Sequence, residues 1–261
     1  MKLKTILLAA ATLGLMASTQ AFADIKFGVA AEPYAPFTSK DASGKWVGWE
    51  VDFMNALCAD IKEKCSIEEV AWDGIIPALQ AKKFDAIMSS MSITPERAKT
   101  INFSDMYYNS AAVLIGPKGD DKDFSPEHLK GKNVGVQVST THAAYIAKYY
   151  EPKGAVVKTY ATQDEANADL AAGRLDYVMA DGVALQAFLD TDQGKCCETK
   201  GAVPIDIDVL GPGVGFGIRK DDTALLEKVN KGIQDLANDG TYDKITATWK
   251  LQGLVETPKK K

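Results

Sequence analysis

The sequence predicts an α/β protein made of two successive series of strand–helix units. Three observations predict it. Short apolar runs alternate with amphipathic stretches along nearly the whole chain, the pattern of βαβ units and mostly parallel sheets. The series runs from Ile25 to Ile115 and then restarts near Ser125. No apolar run reaches the roughly 18 residues of a membrane-spanning helix. The 261 residues are 25% charged and 46% hydrophobic, which suits a globular chain of one or two domains. A net charge of -5 argues against a nucleic-acid binder, which needs a basic footprint.

Residues 1–23 stand apart from this pattern. Met1-Lys2-Leu3-Lys4 is a short basic start, and Ile6 to Ala17 is an apolar run too short to span a bilayer. Ala21-Phe22-Ala23 supplies the small residues of a cleavage site. A signal peptide cleaved after Ala23 is therefore expected, with export of a soluble protein to the periplasm. No cysteine stands at that site to carry a lipid anchor.

In the first series, Ile25 to Ala30 reads as a strand. Val51, Met54, Cys58 and Ile61 recur at three- and four-residue spacing, which predicts a helix over 50–63. Ile67 to Val70 is a strand, Asp73 to Ala81 a helix, and Phe84 to Met88 a buried strand. Thr94 as N-cap and Pro95 at the first helical position open a helical turn. Tyr107 to Ile115 reads as one long strand.

In the second series, Ser125-Pro126-Glu127 predicts the start of a short helix. Asn133 to Val136 is a strand, Thr140 to Tyr150 a helix, and Val156 to Tyr160 a strand. Thr162 and Glu165 form a capping box ahead of a helix that stops at Gly173. Leu175 to Ala180 is a strand and Gly182 to Leu189 a helix. Residues 191–202 are polar and glycine-bearing, hence loop, and Val203 to Leu210 reads as extended. The glycine-rich run 211–217 leads into a strand rather than a helix. It therefore lacks the context of a dinucleotide loop and reads as a flexible connection between domains. Gly213 to Ile218 is a strand. Leu225, Val229, Ile233 and Leu236 share one face of a helix over 222–238. A last helix runs from Thr241 to Trp249, before a frayed tail.

Four cysteines are too few for a disulfide-built fold. Cys58 and Cys65 lie close together at the end of a predicted helix, where an oxidising compartment would let them pair. Adjacent Cys196 and Cys197 could pair only in a tight ring, so free thiols are an equal expectation. With only His128 and His142, neither in a ligand-spaced context, no metal site is expected. The P-loop and the GxSxG elbow are both absent.

Two segments combine features that suit an anion. In Ser89-Ser90-Met91-Ser92-Ile93-Thr94-Pro95-Glu96-Arg97 a buried strand ends in hydroxyls, opens a helix, and carries an arginine one turn in. Gln137-Val138-Ser139-Thr140-Thr141-His142 repeats the theme in the second series. An ordinary capped helix fits each segment taken alone. Together they suggest one ligand gripped from both sides. Asp181 closes a strand at the end where α/β sheets bind ligands, as an ammonium partner or a helix cap. Tyr34 and Trp72 also follow strands and offer ring faces, for stacking or for core filling, and Glu32 beside Tyr34 adds a negative charge.

The ordered set of motifs resembles the periplasmic amino-acid-binding proteins of polar amino acid ABC importers, in particular the lysine/arginine/ornithine- and histidine-binding group. The marks are Tyr34-Ala35-Pro36-Phe37, Gly48-Trp49-Glu50-Val51-Asp52, the Cys58/Cys65 pair and Trp72-Asp73-Gly74-Ile75-Ile76-Pro77. Asp85 to Thr94, Arg97, Gly131 to Val136, Ala172-Gly173-Arg174-Leu175-Asp176 and Asp239-Gly240-Thr241-Tyr242 continue the series. The resemblance implies a two-lobed type II periplasmic binding protein, with two α/β domains joined by two hinge strands. Residues 24–110 and 211–261 would form lobe 1 and residues 111–210 lobe 2, with crossings near 109–111 and 205–210. It further implies that Arg97, with Ser92 and Thr141, clamps a ligand α-carboxylate. Asp181 and Ser90 would hold the ammonium, and Tyr34 and Trp72 would sandwich the side chain. Ser89, Gln137, Thr140 and Glu32 complete the expected ligand set.

Two positions depart from the cation-selective pattern. Ala31 stands where an acid is usual, with Glu32 one place later, and Val138-Ser139 precede Thr140. The expected function is capture of a free amino acid, cationic or polar, or of an opine-type derivative, by a monomer. Delivery would be to a permease and its ATPase in the inner membrane, with no cofactor and no nucleic acid. A dehydratase-like enzyme on the same fold is the alternative, and it would need a tuned acid or base beside the substrate.

Overall fold

The computed structural model describes residues 24–119 and 123–260. The expected signal peptide, residues 1–23, lies outside the described residues. The first part of the chain holds β1 (Asp24–Ala30), β2 (Ser39–Lys40), β3 (Trp46–Val47), α1 (Trp49–Asp60) and β4 (Lys64–Val70). It continues with α2 (Ile75–Gln80), β5 (Ala86–Ile87), α3 (Pro95–Ala98) and β6 (Asn102–Phe103). Next come β7 (Ala112–Pro117), β8 (Asn133–Gln137), α4 (Thr141–Tyr149), β9 (Val156–Tyr160), α5 (Gln163–Ala171), β10 (Tyr177–Asp181), α6 (Gly182–Leu189) and β11 (Cys197–Ala202). The chain closes with α7 (Ile207–Leu210), β12 (Gly217–Ile218), α8 (Thr223–Asn238) and α9 (Thr241–Thr248).

Among the described residues the strands form two five-stranded sheets, in the orders β4-β1-β5-β12-β6 and β11-β7-β10-β8-β9, with β2 and β3 as a separate ribbon. In the first sheet β1 runs parallel to β4 and β5, while β12 lies antiparallel to β5 and β6. In the second, β8 runs parallel to β9 and β10, and β7 lies antiparallel to β10 and β11. Each sheet is covered on both faces. Successive residues Val178 and Met179 of β10 enter opposite clusters, one with Leu170 and Leu185, the other with Val134 and Ile146. In the first sheet Phe27, Val29 and Met88 join Trp49, Phe53, Tyr107 and Phe216, and Ile87 packs on the other face with Ile75 and Leu79. Phe53, Tyr107 and Phe216 stack there with centroids 5.4 and 4.4 Å apart. Two-sided burial explains why these strands read as short apolar runs.

Local signals set the helix starts. Thr94 accepts from the Arg97 N–H at 3.2 Å, Thr140 from Ala143 at 3.1 Å, and Thr162 with Glu165 forms the capping box. Cys58 and Cys65 are bonded, tying the end of α1 to β4. Cys196 and Cys197 are bonded to each other.

Five expectations are corrected. The strand expected over 107–115 begins only at Ala112. Tyr107 and Tyr108 are buried in the first core, and Tyr108 bridges Val214, so this stretch is where the chain passes between the sheets. Residues 126–131 form hydrogen-bonded turns capped by Ser125 rather than a helix. The expected loop 191–202 contains the edge strand β11. Its polarity is tolerated because Lys200 turns inward and donates to the Pro117 carbonyl at 2.7 Å. The extended stretch expected at 203–210 contains α7, capped by Asp206, which accepts from Asp208 N–H at 3.1 Å. The glycine run 211–217 is packed, not slack. A Cβ at Gly211 would lie 2.0 Å from the Ile93 carbonyl oxygen, and one at Gly213 would lie 2.4 Å from the Met106 sulfur. Glu256 pairs with Asn109 in both directions, so the C-terminal segment runs beside the crossing up to that point.

Candidate functional site

The two sheets present the C-terminal ends of their parallel strands to each other, where loops and helix starts gather. A cavity lies between them, walled by residues from both sheets. Its walls take Glu32 and Tyr34 from the segment after β1, Trp72 from the segment after β4, and Ser89, Ser90, Ser92 and Arg97 from beyond β5. From the other side come Gln137, Thr140 and Thr141 at the end of β8, and Asp181 at the end of β10. All the ligand residues expected from the sequence thus share one cavity. Ala30, Pro33, His142 and Gln163 line it too and were not in that set. Gln163 follows β9 at the start of α5, and its place at a strand's carboxyl end was the available signal.

The cation of the site is Arg97. One guanidinium nitrogen donates to the Ser92 carbonyl at 2.9 Å and another to the Ser139 carbonyl at 3.0 Å, across the cleft. The guanidinium lies 5.5 Å from the Trp72 ring centroid, within cation–π range. Burial pushes its pKa down to about 10, so it stays charged at neutral pH. Trp72 Nε1 donates across the cleft to the Val138 carbonyl at 3.0 Å. Beside this group, the Ser92 and Thr141 hydroxyls stand 3.4 Å apart.

Asp181 is the acid of the opposite wall. It accepts from the Tyr34 hydroxyl at 2.7 Å and from Ser110 Oγ at 2.9 Å, and His142 Nε2 lies 3.8 Å away. Burial, then the Asp181 charge, raises the Tyr34 hydroxyl well above its ordinary range, so it stays a donor. Burial lowers the His142 pKa against the pull of Asp181, keeping the imidazole neutral near pH 7. Glu32 has a buried Oε2 without a hydrogen-bond partner. Asp181 closes β10 at the N-cap position of α6 but makes no side-chain cap hydrogen bond, so the cap does not account for it.

Other polar groups are already engaged. Thr140 Oγ1 donates to the Gln137 carbonyl at 2.7 Å and caps α4. Ser89 Oγ accepts from Ala30 N–H at 3.1 Å, and Gln137 Nε2 donates to the Ala161 carbonyl at 3.1 Å. Ser90 donates to Glu50 of α1 with its N–H at 2.8 Å and its hydroxyl at 3.0 Å. Glu50 belongs to one of the motifs that carry the family resemblance, but the sequence reading gave it no place in the site. An amphipathic anion-and-cation pair of walls with two aromatic faces can hold a zwitterion.

Comparison with known proteins agrees with this architecture. The chain is 44% identical over 213 residues to the lysine/arginine/ornithine-binding periplasmic protein of Escherichia coli (strain K12), covering 81% of this chain and 82% of that protein. An ancestral arginine-binding protein bound to arginine superposes with a TM-score of 0.80 at 34% identity, over 87% of this chain and 97% of the other. An ancestral amino acid-binding protein, a precursor of cyclohexadienyl dehydratase, superposes with a TM-score of 0.76 at 34% identity, over 87% and 95% of the two chains. Residues 25–252 match the family model throughout, and the chain belongs to the bacterial extracellular solute-binding proteins, family 3.

Proposed function

We propose that this protein captures a free amino acid, or a derivative with an α-amino-acid head, and delivers it to an ABC importer. In this reading Arg97, Ser92 and Thr141 take the α-carboxylate. Asp181 and Ser90 take the ammonium, and Tyr34 and Trp72 flank the side chain. Ser89, Gln137 and Thr140 shape the walls. Residues 24–110 with 211–261 act as one lobe and 111–210 as the other. The protein works as a periplasmic monomer after loss of residues 1–23, and a permease with its ATPase is the membrane partner. It binds without turnover.

The observation that carries the ligand class is the buried, unpartnered Glu32 Oε2 on the same cavity wall as Tyr34. A cationic or hydrogen-bonding side chain satisfies it. An acidic side chain would bring a second carboxylate into a desolvated site without a partner. Stacking on Tyr34 and Trp72 adds about 0.5–2 kcal/mol for a guanidinium or ammonium.

The test is calorimetry on protein stripped of ligand by unfolding and refolding. Arginine, lysine, ornithine or histidine is expected to bind at least about tenfold more tightly than glutamate or aspartate, and Glu32→Gln to narrow that gap. Tighter binding of an acidic amino acid refutes the charge argument. Conversion of bound arginine to product, followed by NMR, favours an enzyme with His142 beside Asp181 as its acid–base group.

A further inference from the structure

Glu50 sits in the first turn of α1 with none of its surface exposed. A buried carboxylate is expensive unless it has a purpose or a cation. Among the described residues no lysine, arginine or histidine forms an ion pair with it. Its hydrogen bonds come from the Ser90 N–H to Oε1 at 2.8 Å, the Ser90 hydroxyl to Oε2 at 3.0 Å, and the Tyr107 hydroxyl to Oε1. Burial pushes its pKa up to about 7, opposed by those donors.

Ser90 lines the ligand cavity at a φ of 51°, the left-handed region that a serine adopts only when held there. Glu50 holds it by both its donors. A hydroxyl has one proton and two lone pairs. With the proton directed at Glu50, the lone pairs are what Ser90 can offer the cavity. An oxygen fixed in that sense accepts from an ammonium and cannot donate to a carboxylate.

We propose that Glu50 is a positioning residue for ligand recognition: by taking the Ser90 N–H and O–H, it fixes the Ser90 oxygen as an acceptor for the ligand's α-ammonium. The inference rests on the amino-acid reading above and names the device that orients its ammonium site. Glu50→Gln preserves size but puts an NH₂ donor next to Ser90. The Ser90 hydroxyl then turns its proton into the cavity, against the ammonium.

The experiment measures affinity for L-arginine and for desamino-arginine, the same molecule with hydrogen in place of the α-amine. Glu50→Gln is expected to weaken arginine binding by about tenfold or more and desamino-arginine binding by less than about threefold. Ser90→Ala weakens arginine in the same selective way, and adding Glu50→Gln to it is expected to cost nothing further. Equal loss for both ligands, or an undiminished effect of Glu50→Gln on the Ser90→Ala background, overturns the proposal. If wild-type protein binds neither ligand, the amino-acid reading itself falls.

Should Glu50→Gln fail to fold, the wild-type and Ser90→Ala proteins decide the matter by pH. The arginine-to-desamino-arginine affinity ratio is expected to fall from pH 8 to pH 6 in wild type, as Glu50 takes up a proton, and to fall less in Ser90→Ala. The groups facing Glu50 are Ser90, Asp181 and the hydroxyls of Tyr34, Tyr107 and Tyr108. The three tyrosines are all raised well above their ordinary range and do not titrate there. Asp181 and its neighbour His142 are present in both proteins, so the comparison isolates the Ser90 hydroxyl. Identical slopes overturn the proposal.

Discussion

Arg97→Met removes the guanidinium but keeps an unbranched side chain, and it is expected to cost affinity while leaving stability nearly unchanged. Without ligand the charge opposes folding. Burial lowers the Arg97 pKa from 12.5 to about 10, which at about 1.4 kcal/mol per pH unit is about 3.5 kcal/mol against the charged form. Partial access to solvent makes that an upper figure. A cation whose pKa is lowered on folding destabilises the native state at pH values below the folded pKa, so at pH 7 its removal is favourable. The charge-assisted bonds to the Ser92 and Ser139 carbonyls, about 1.5 kcal/mol or more each, offset this. The two terms nearly cancel, so the melting temperature is expected to stay within about 4 °C of wild type. Affinity for arginine should fall by about 2–5 kcal/mol, because a ligand carboxylate loses its buried partner. Scanning calorimetry of stripped protein at pH 7 and titration calorimetry with arginine check the two halves. A drop in melting temperature beyond about 5 °C would make Arg97 a structural residue, and an affinity within about threefold of wild type would remove it from the site.

Replacing Cys58 and Cys65 by alanine opens a small ring and is expected to lower unfolding free energy by about 2–3 kcal/mol, with arginine affinity unchanged, since neither residue lines the cavity. Urea unfolding with an unshifted midpoint would contradict the first half. Gly211→Ala places a methyl 2.0 Å from the Ile93 carbonyl oxygen at a φ of +81°, and should destabilise by at least about 1–3 kcal/mol. Gly44→Ala is the comparison, with a φ of +83° and nothing within 4 Å, and should lose only the conformational part, about 1 kcal/mol. Equal losses at the two sites would return residues 211–217 to a slack linker.

What the sequence determined by itself is what local interactions decide. The caps at Thr94, Thr140 and Thr162 lie within three residues of the N–H groups they accept from, so their motifs could be read directly. The alternation of apolar runs and amphipathic helices reported two α/β series because the central strands β1, β5 and β10 are buried on both faces by their neighbours. Residues at the carboxyl ends of those strands could be named as ligand candidates for the same reason. What only the tertiary structure decided depends on partners far away in the chain. β11 is a strand because β7 pairs with it, despite a polar, glycine-bearing sequence. Gly211 and Gly213 are required by the close approach of Ile93 and Met106, not by local flexibility. Tyr34 and Asp181 meet across 147 positions, and Glu50 reaches Ser90 across 40. Hydrogen-bond direction, burial and the resulting pKa shifts arise only when such distant groups are brought together and water is removed, and no spacing rule along one chain encodes them.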